Sequence, residues 1–232
     1  HNQARNVQSM KVGIISDVHA NLPALERVME KLNHCDEIYS AGDVVGYYPF
    51  PNEVVEMFIR EDISSVAGNH DIAVVNADFS GMNAIAMEAG IYTRNVLSYK
   101  NLQWLSKLPL SIETPYFKIY HGMPANGEAA YIVYIFPDDP AIDVFLAETN
   151  KHIVVGHTHI QFAREQNGKF FFNPGSVGQP RDGDARAAYA IYDTEKVRLR
   201  LQRVRYNVNE VCDAIENANL SRYLCSRLYE GY

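Results

Sequence analysis

Aspartate, histidine and asparagine recur in this chain in short clusters, each directly behind a short apolar run. Lys11-Val12-Gly13-Ile14-Ile15 leads into Ser16-Asp17-Val18-His19, and Glu37-Ile38-Tyr39-Ser40-Ala41 into Gly42-Asp43. Ile63-Ser64-Ser65-Val66-Ala67 leads into Gly68-Asn69-His70-Asp71, and Phe117-Lys118-Ile119-Tyr120 into His121-Gly122. His152-Ile153-Val154-Val155 leads into Gly156-His157-Thr158-His159. Five of the eight histidines fall in these clusters, while His1, His34 and His152 read as ordinary surface or core residues. Imidazole and carboxylate without thiolate form a donor set that suits Mn, Fe, Zn, Co or Ni and does not choose among them. Neighbouring side chains alternate in an extended strand, so Asp17 and His19 can face one ion only if the strand end turns.

Apolar runs of four or five residues bounded by Gly and polar residues predict buried strands. In layered α/β sheets the working residues lie just past the carboxyl ends of such strands, so five ends converge on one crevice. Between the first two runs, Leu22, Leu25, Val28, Met29 and Leu32 recur at helical spacing, with Asn21 and Pro23 suited to the start of a helix. Residues 51–59 repeat the plan, which makes the first seventy residues a parallel βαβαβ unit. Further helices are predicted over 82–97, where Met82 and Met87 read as packing residues, and around Trp104. Another opens after Asp138-Asp139-Pro140, and a last one covers 209–218. Residues 161–165, 169–172, 187–193 and 197–204 read as a mostly antiparallel half, with Asn167-Gly168 as one of its turns.

Composition narrows the function. At 232 residues the chain has room for a real core, and no linker or solenoid repeat divides it, so residues 10–232 are expected to form one domain. Residues 1–9 are polar and read as a tag or disordered lead before Met10. A net charge of −7 argues against nucleic acid as a partner, because that affinity comes from neutralised phosphates. It leaves room for a small phosphate ester gripped by metal ions. No apolar stretch approaches the roughly 20 residues that span a bilayer, so no membrane association is expected. Cys35, Cys212 and Cys225 are odd in number and widely spaced, which predicts no disulfide framework and a reducing, cytoplasmic setting.

Taken together, Asp17-x-His19, Gly42-Asp43, Gly68-Asn69-His70-Asp71, His121-Gly122 and Gly156-His157-x-His159 resemble the calcineurin-like metallophosphoesterase superfamily over residues 11–184. The run Asn173-Pro174-Gly175-Ser176-Val177-Gly178-Gln179-Pro180-Arg181 resembles the small bacterial and archaeal phosphodiesterase branch of it. The resemblance implies a four-layer α/β/β/α sandwich of two mixed β-sheets flanked by helices, with a two-metal site at the sheet ends. It implies that Asp17, His19 and His159 hold one metal, that Asn69, His121 and His157 hold the other, and that Asp43 bridges both. The cofactors would be two divalent transition-metal ions roughly 3.5–4 Å apart, driving in-line attack by a bridging hydroxide on a phosphodiester or phosphomonoester. His70 would stabilise the transferred group or protonate the leaving oxygen. Asp71 would either orient that imidazole or cap the chain after the strand.

One departure bears on the substrate. Where protein phosphatases of the superfamily continue Gly-Asp with x-x-Asp-Arg-Gly, this chain has Val44-Val45 and then Gly46-Tyr47-Tyr48. That argues against a protein phosphatase and leaves Arg181 as a replacement phosphate contact, or as a surface partner of Asp182 or Asp184. Tyr47 and Tyr134 are candidates to stack on a nucleobase, which makes a nucleotide one expected substrate. The stretches 126–128 and 182–184 read as solvated loops. A nuclease and a metal-free interaction scaffold on the same fold are the alternatives. The scaffold is recognised by loss of ligands, and all seven ligand positions are filled here. Self-association is left open.

Overall fold

A computed structural model describes residues 9–125 and 128–232. The expectations for residues 1–8 and for 126–127 lie outside the described residues. The chain runs through β1 (Lys11–Ile15), α1 (Leu22–Leu32), β2 (Glu37–Ser40), α2 (Pro51–Arg60) and a short β3 (Ser64–Ser65). It continues with α3 (Asn69–Asn76), α4 (Ala84–Val96), α5 (Tyr99–Leu105), β4 (Ser111–Glu113), β5 (Phe117–Tyr120), β6 (Met123–Ala125) and β7 (Glu128–Ala130). Then come α6 (Ala141–Ala147), β8 (His152–Val154), β9 (Phe162–Gln166), β10 (Lys169–Asn173), β11 (Ala187–Asp193) and β12 (Arg198–Val204). Two helices, α7 (Val208–Asn217) and α8 (Tyr223–Glu230), close the chain.

The strands form two mixed five-stranded sheets, ordered β12-β11-β1-β2-β3 and β4-β5-β8-β10-β9, with β6 and β7 as a separate pair. Strand β1 is the hinge of the first sheet, parallel to β2 and antiparallel to β11. In the second sheet β8 lies parallel to both β5 and β10. Alternation along β1 decides which sheet face meets what. Val12 and Ile14, with Ala190 and Tyr192 of β11, pack against Phe117, Ile119, Val154 and Phe172 of the second sheet. Ile15 and, from β11, Tyr189 and Ile191 face the other way, onto α1 and α2 through Leu25, Val28, Val54 and Phe58. The outer face of the second sheet packs Ile153 and Phe171 on Ile142 and Leu146 of α6. Helix, sheet, sheet and helix make four layers.

Two expectations need correction. Residues 187–204 are antiparallel as expected but do not share a sheet with residues 162–173: β11 and β12 return to the first sheet and pair beside β1. Cys212 and Cys225 are joined by a disulfide, with Cα atoms 5.2 Å apart, although their spacing gave no sign of it. The physical reason is α8, which lies beyond 209–218, the last helix that the sequence pattern predicts. Val211 and Ile215 of α7 bury against Leu224 and Leu228 of α8, and that packing brings the two cysteines together. Cys35 remains a free thiol. No helix among the described residues is long and apolar enough to cross a membrane.

His152, at the head of β8, is a core histidine with both ring nitrogens engaged. Its Nδ1 accepts from the Phe170 backbone N–H at 3.0 Å, so its Nε2 carries the proton toward the Tyr192 hydroxyl at 2.7 Å. Burial lowers its pKa from 6.5 to about 4. Because the folded value lies below the unfolded one, the unfolded chain binds the proton first, and stability falls as pH drops from 6.5 toward 4. The variant His152→Asn keeps an acceptor but does not titrate. It should be less stable than wild type near pH 7 and lose less of its urea midpoint between pH 7 and pH 5. Equal losses in the two proteins would remove His152 as a source of acid sensitivity.

Candidate metal centre

Three of the five clusters leave their strands through left-handed backbone. Asp17, His19, Asp43, His157 and His159 all have positive φ, between 50° and 68°, in the left-handed region that L-residues avoid. This is the turn that the Asp17-x-His19 spacing required: with the backbone left-handed at both residues, the two side chains reach the same crevice. Such conformations cost on the order of 1–3 kcal/mol each and persist where the surroundings over-determine them. Here the surroundings are neighbouring strand ends. Asp17 N–H donates to Gly42 O at 2.9 Å, His19 N–H to Asp43 O at 3.0 Å, and Gly156 N–H to His121 O at 2.8 Å.

The side chains converge in two groups. Donor atoms of Asp17, His19, Asp43 and His159 lie within 4.8 Å of one another, as do those of Asp43, His121 and His157, and every member is buried. Asp43 is common to both. Its Oδ1 accepts from the His70 backbone N–H at 2.9 Å, which turns Oδ2 inward, 3.5 Å from His19 Nε2 and 3.3 Å from His121 Nε2. Asn69, at the first turn of α3, brings its Oδ1 to 3.1 Å from His121 Nε2. Asp17 is held by the Ser16 hydroxyl at 2.6 Å and the His157 backbone N–H at 3.1 Å.

The hydrogen bonds fix which nitrogens face inward. His121 Nδ1 donates to Ala41 O at 2.7 Å, and His159 Nδ1 to Gln179 O at 2.6 Å. The lone pair of His121 Nε2 therefore meets two oxygens, Asp43 Oδ2 and Asn69 Oδ1. Acceptors facing acceptors require positive charge between them. A proton on His121 is one source: burial pulls its pKa down, but Asp43 overrides this and raises it to about 9. A metal ion is the other, and the donor set fits one. Both carboxylates are held below their ordinary range, Asp17 by His159 and Asp43 by His121, against the opposing effect of burial. The buried Nε2 of His157 and Nδ1 of His19 have no hydrogen-bond partner among the described residues.

Around these groups the structure narrows two open alternatives and corrects one expectation. Asp71 does not orient His70: its two oxygens accept from the Gly68 and Val45 backbone N–H groups at 2.9 and 3.1 Å, which caps α3 and ties it to the Asp43 loop. Burial, with the charge of Asp43 second, pushes its carboxyl up to about 7. His70 Nδ1 is buried without a partner, and burial lowers the pKa of its imidazole to about 4. Tyr47 is only 4 % exposed, so it offers no open face to a base. Its ring packs 4.8 Å from that of His19 and 4.7 Å from that of His70, under the helical layer of α4, α7 and α8. Gly46 allows this approach, because its φ is +143° and a Cβ there would stand 2.7 Å from His19 Nδ1. Arg181 pairs with neither Asp182 nor Asp184, which Arg203 and Arg186 take; it donates to Gln179 Oε1 at 2.8 Å and the Tyr47 hydroxyl at 3.3 Å. Tyr134 is 46 % exposed and lies flat on His157.

Several supporting residues carried no assigned role in the sequence. Ser176 Oγ donates to Asp17 O at 2.7 Å, and Asn173 Nδ2 to Gly156 O at 2.8 Å and to Thr158 Oγ1 at 3.0 Å. Gln179 supplies the carbonyl that orients His159. Their signal was the run Asn173 to Arg181, whose resemblance pointed to the segment without giving roles to these residues.

The family model for the calcineurin-like phosphoesterase superfamily domain matches residues 10–197, which include every member of both groups. The chain belongs to this superfamily. It is 35 % identical, over 97 % of its length and 99 % of the relative's, to the uncharacterized protein MJ0912 of Methanocaldococcus jannaschii. It is 28 % identical to phosphodiesterase YfcE of Escherichia coli, over 80 % of this chain and 89 % of that one. Among solved structures, a metallophosphoesterase from Sphaerobacter thermophilus superposes with a TM-score of 0.84 at 34 % identity, covering 97 % of this chain and all (100 %) of the other. The two mixed sheets and flanking helices are the fold of that superfamily member.

The Asp71 geometry yields a test. Asp71→Ala would bury two backbone N–H groups without acceptors, at about 1–3 kcal/mol each, and should lower stability by that order in urea denaturation. Asp71→Asn, which keeps an acceptor, should recover part of the loss. An Asp71→Ala protein as stable as wild type yet slow in turnover would restore the orienting role.

Proposed function

We propose that this protein is a dinuclear metal-dependent phosphoesterase acting on a small phosphodiester or phosphomonoester. The observation that carries the reading is the position of Asp43, whose Oδ2 is within 3.5 Å of one histidine from each ligand group. One metal position is assigned to Asp17, His19, His159 and Asp43, the other to Asp43, Asn69, His121 and His157. A pair of divalent ions bound there would polarise phosphoryl oxygens and supply a hydroxide nucleophile near neutral pH. The chain's own residues do the positioning. Ala41 O and Gln179 O aim two imidazoles, a carbonyl support of the kind that fixes ring orientation and raises ligand basicity. The His70 backbone N–H fixes Asp43, while its ring, edge-on to His19 at 4.7 Å, is the proposed hydrogen-bond donor to the transferred group. Arg181 is the proposed phosphate contact, with its guanidinium braced on Gln179 and Tyr47.

The phosphodiesterase name of the Escherichia coli relative supports the diester form of the reading. The half-exposed rings of Tyr134 and Phe136 beside His157 support a nucleotide as the first substrate to examine. Protein reloaded with Mn²⁺ should hydrolyse bis-p-nitrophenyl phosphate or its monoester, and a panel of phosphorylated metabolites and dinucleotides should then give the physiological class. Protein that holds no metal and turns over neither ester would favour the scaffold. His70→Ala should keep its metal content and lose about 10²–10³-fold in kcat, the range for removing one donor to developing charge. Loss of metal in that variant would show that His70 has been given the wrong role.

A further inference from the structure

His157 differs from the other two histidines of its neighbourhood in how its ring is held. His121 and His159 each give Nδ1 to a backbone carbonyl, at 2.7 and 2.6 Å. His157 makes no ring hydrogen bond among the described residues, and its Nε2 is buried without a partner. What fixes the ring is aromatic packing. Tyr134 lies on its face, with centroids 3.9 Å apart and planes 14° apart, and His121 meets it nearly edge-on at 4.9 Å. Phe136 lies near the tyrosine, with centroids 6.1 Å apart and planes 23° apart. The loop that carries the ring is pinned on either side of it. The Val133 carbonyl accepts from the Met123 backbone N–H at 2.9 Å, and Ile135 is buried with Ile142, Leu146 and Val155.

We propose that Tyr134 is a positioning residue that holds the His157 imidazole toward the second metal position, doing by stacking what backbone carbonyls do for His121 and His159. The proposal rests on reading His157 as a ligand. Stacked rings at this spacing restrict rotation of the imidazole about its Cβ–Cγ bond, and an imidazole held in place needs no reordering when an ion binds. The Tyr134 hydroxyl makes no hydrogen bond among the described residues, so the ring alone carries the effect. With nearly half its surface exposed, Tyr134 can be truncated without opening the core.

Full-length wild type, Tyr134→Ala and Tyr134→Phe would be stripped with a chelator and titrated with Mn²⁺ and Co²⁺. Bound equivalents are read by elemental analysis and by the Co²⁺ visible spectrum, with thermal melts as the folding control. The expected result is two equivalents in wild type and Tyr134→Phe. Tyr134→Ala should keep one tight equivalent and bind the second roughly 10–100-fold more weakly, the range for losing outer support of a ligand. Its kcat should recover when metal is added in excess. If Tyr134→Ala binds both ions as tightly as wild type and shows only a raised KM for bis-p-nitrophenyl phosphate, the ring contacts substrate and the proposal fails. Equal weakening of both equivalents, or no rescue by phenylalanine, also overturns it. A wild type that takes up no metal overturns the two-metal reading itself, and this proposal with it.

Discussion

Two carboxylates, Asp17 and Asp43, are buried, and the rest of the centre follows from that burden. A buried anion is tolerated only when it is paired and hydrogen-bonded. Each carboxylate here is hydrogen-bonded, and its counter-charge has to enter the crevice beside it. Ser16 and the His157 backbone hold Asp17, and the His70 backbone holds Asp43, while the remaining lone pairs turn toward imidazoles. Those imidazoles are themselves turned by carbonyls so that lone pairs, not N–H groups, face the carboxylates. The arrangement concentrates acceptors, and it is stable in proportion to the positive charge that enters among them.

Concentrating acceptors demands a backbone that strands do not supply by themselves. Five residues of the two buried groups adopt left-handed φ at strand ends, and the strand ends brace one another through carbonyls and amides. Close approach between loops is part of the same device. A Cβ on Gly68 would stand 2.0 Å from Asp43 Oδ1, so only glycine lets the start of α3 reach the carboxylate. The two sheets position these ends because β1 and β2 in one, and β5 and β8 in the other, run parallel and finish on the same crevice. Stability spent on strained turns is recovered from the dry inter-sheet core of Phe117, Ile119, Val154 and Phe172.

Much of this was legible in the sequence, and the reasons for the gaps are physical. Short apolar runs located β1, β2, β5 and β8, and helical spacing located α1 and α2, because burial on one side imprints a period. What periodicity does not encode is which sheet a strand joins: the pattern of 187–204 is compatible with either. Residues 219–232 hold only Leu220, Leu224 and Leu228 as core positions, too sparse a stripe to mark α8 without its partner α7. The disulfide was invisible for the same reason. Among site residues, types and spacing pointed to the buried clusters, but roles set by direction did not show. Asp71 turns to backbone amides and not to His70, and Tyr47 is folded under a helical layer. That layer also explains the Gly46-Tyr47-Tyr48 departure, since these residues support His19 and His70 from behind where protein phosphatases carry a phosphate-gripping arginine.

The centre as proposed depends on Asp43 being shared between two metal positions. Anomalous diffraction from crystals of the Mn²⁺-loaded protein tests it most directly, with data on both sides of the manganese edge. Two peaks are expected roughly 3.5–4 Å apart, both in contact with Asp43, one beside Asp17, His19 and His159 and the other beside Asn69, His121 and His157. A single fully occupied peak, or two peaks of which one lies away from Asp43, would contradict it.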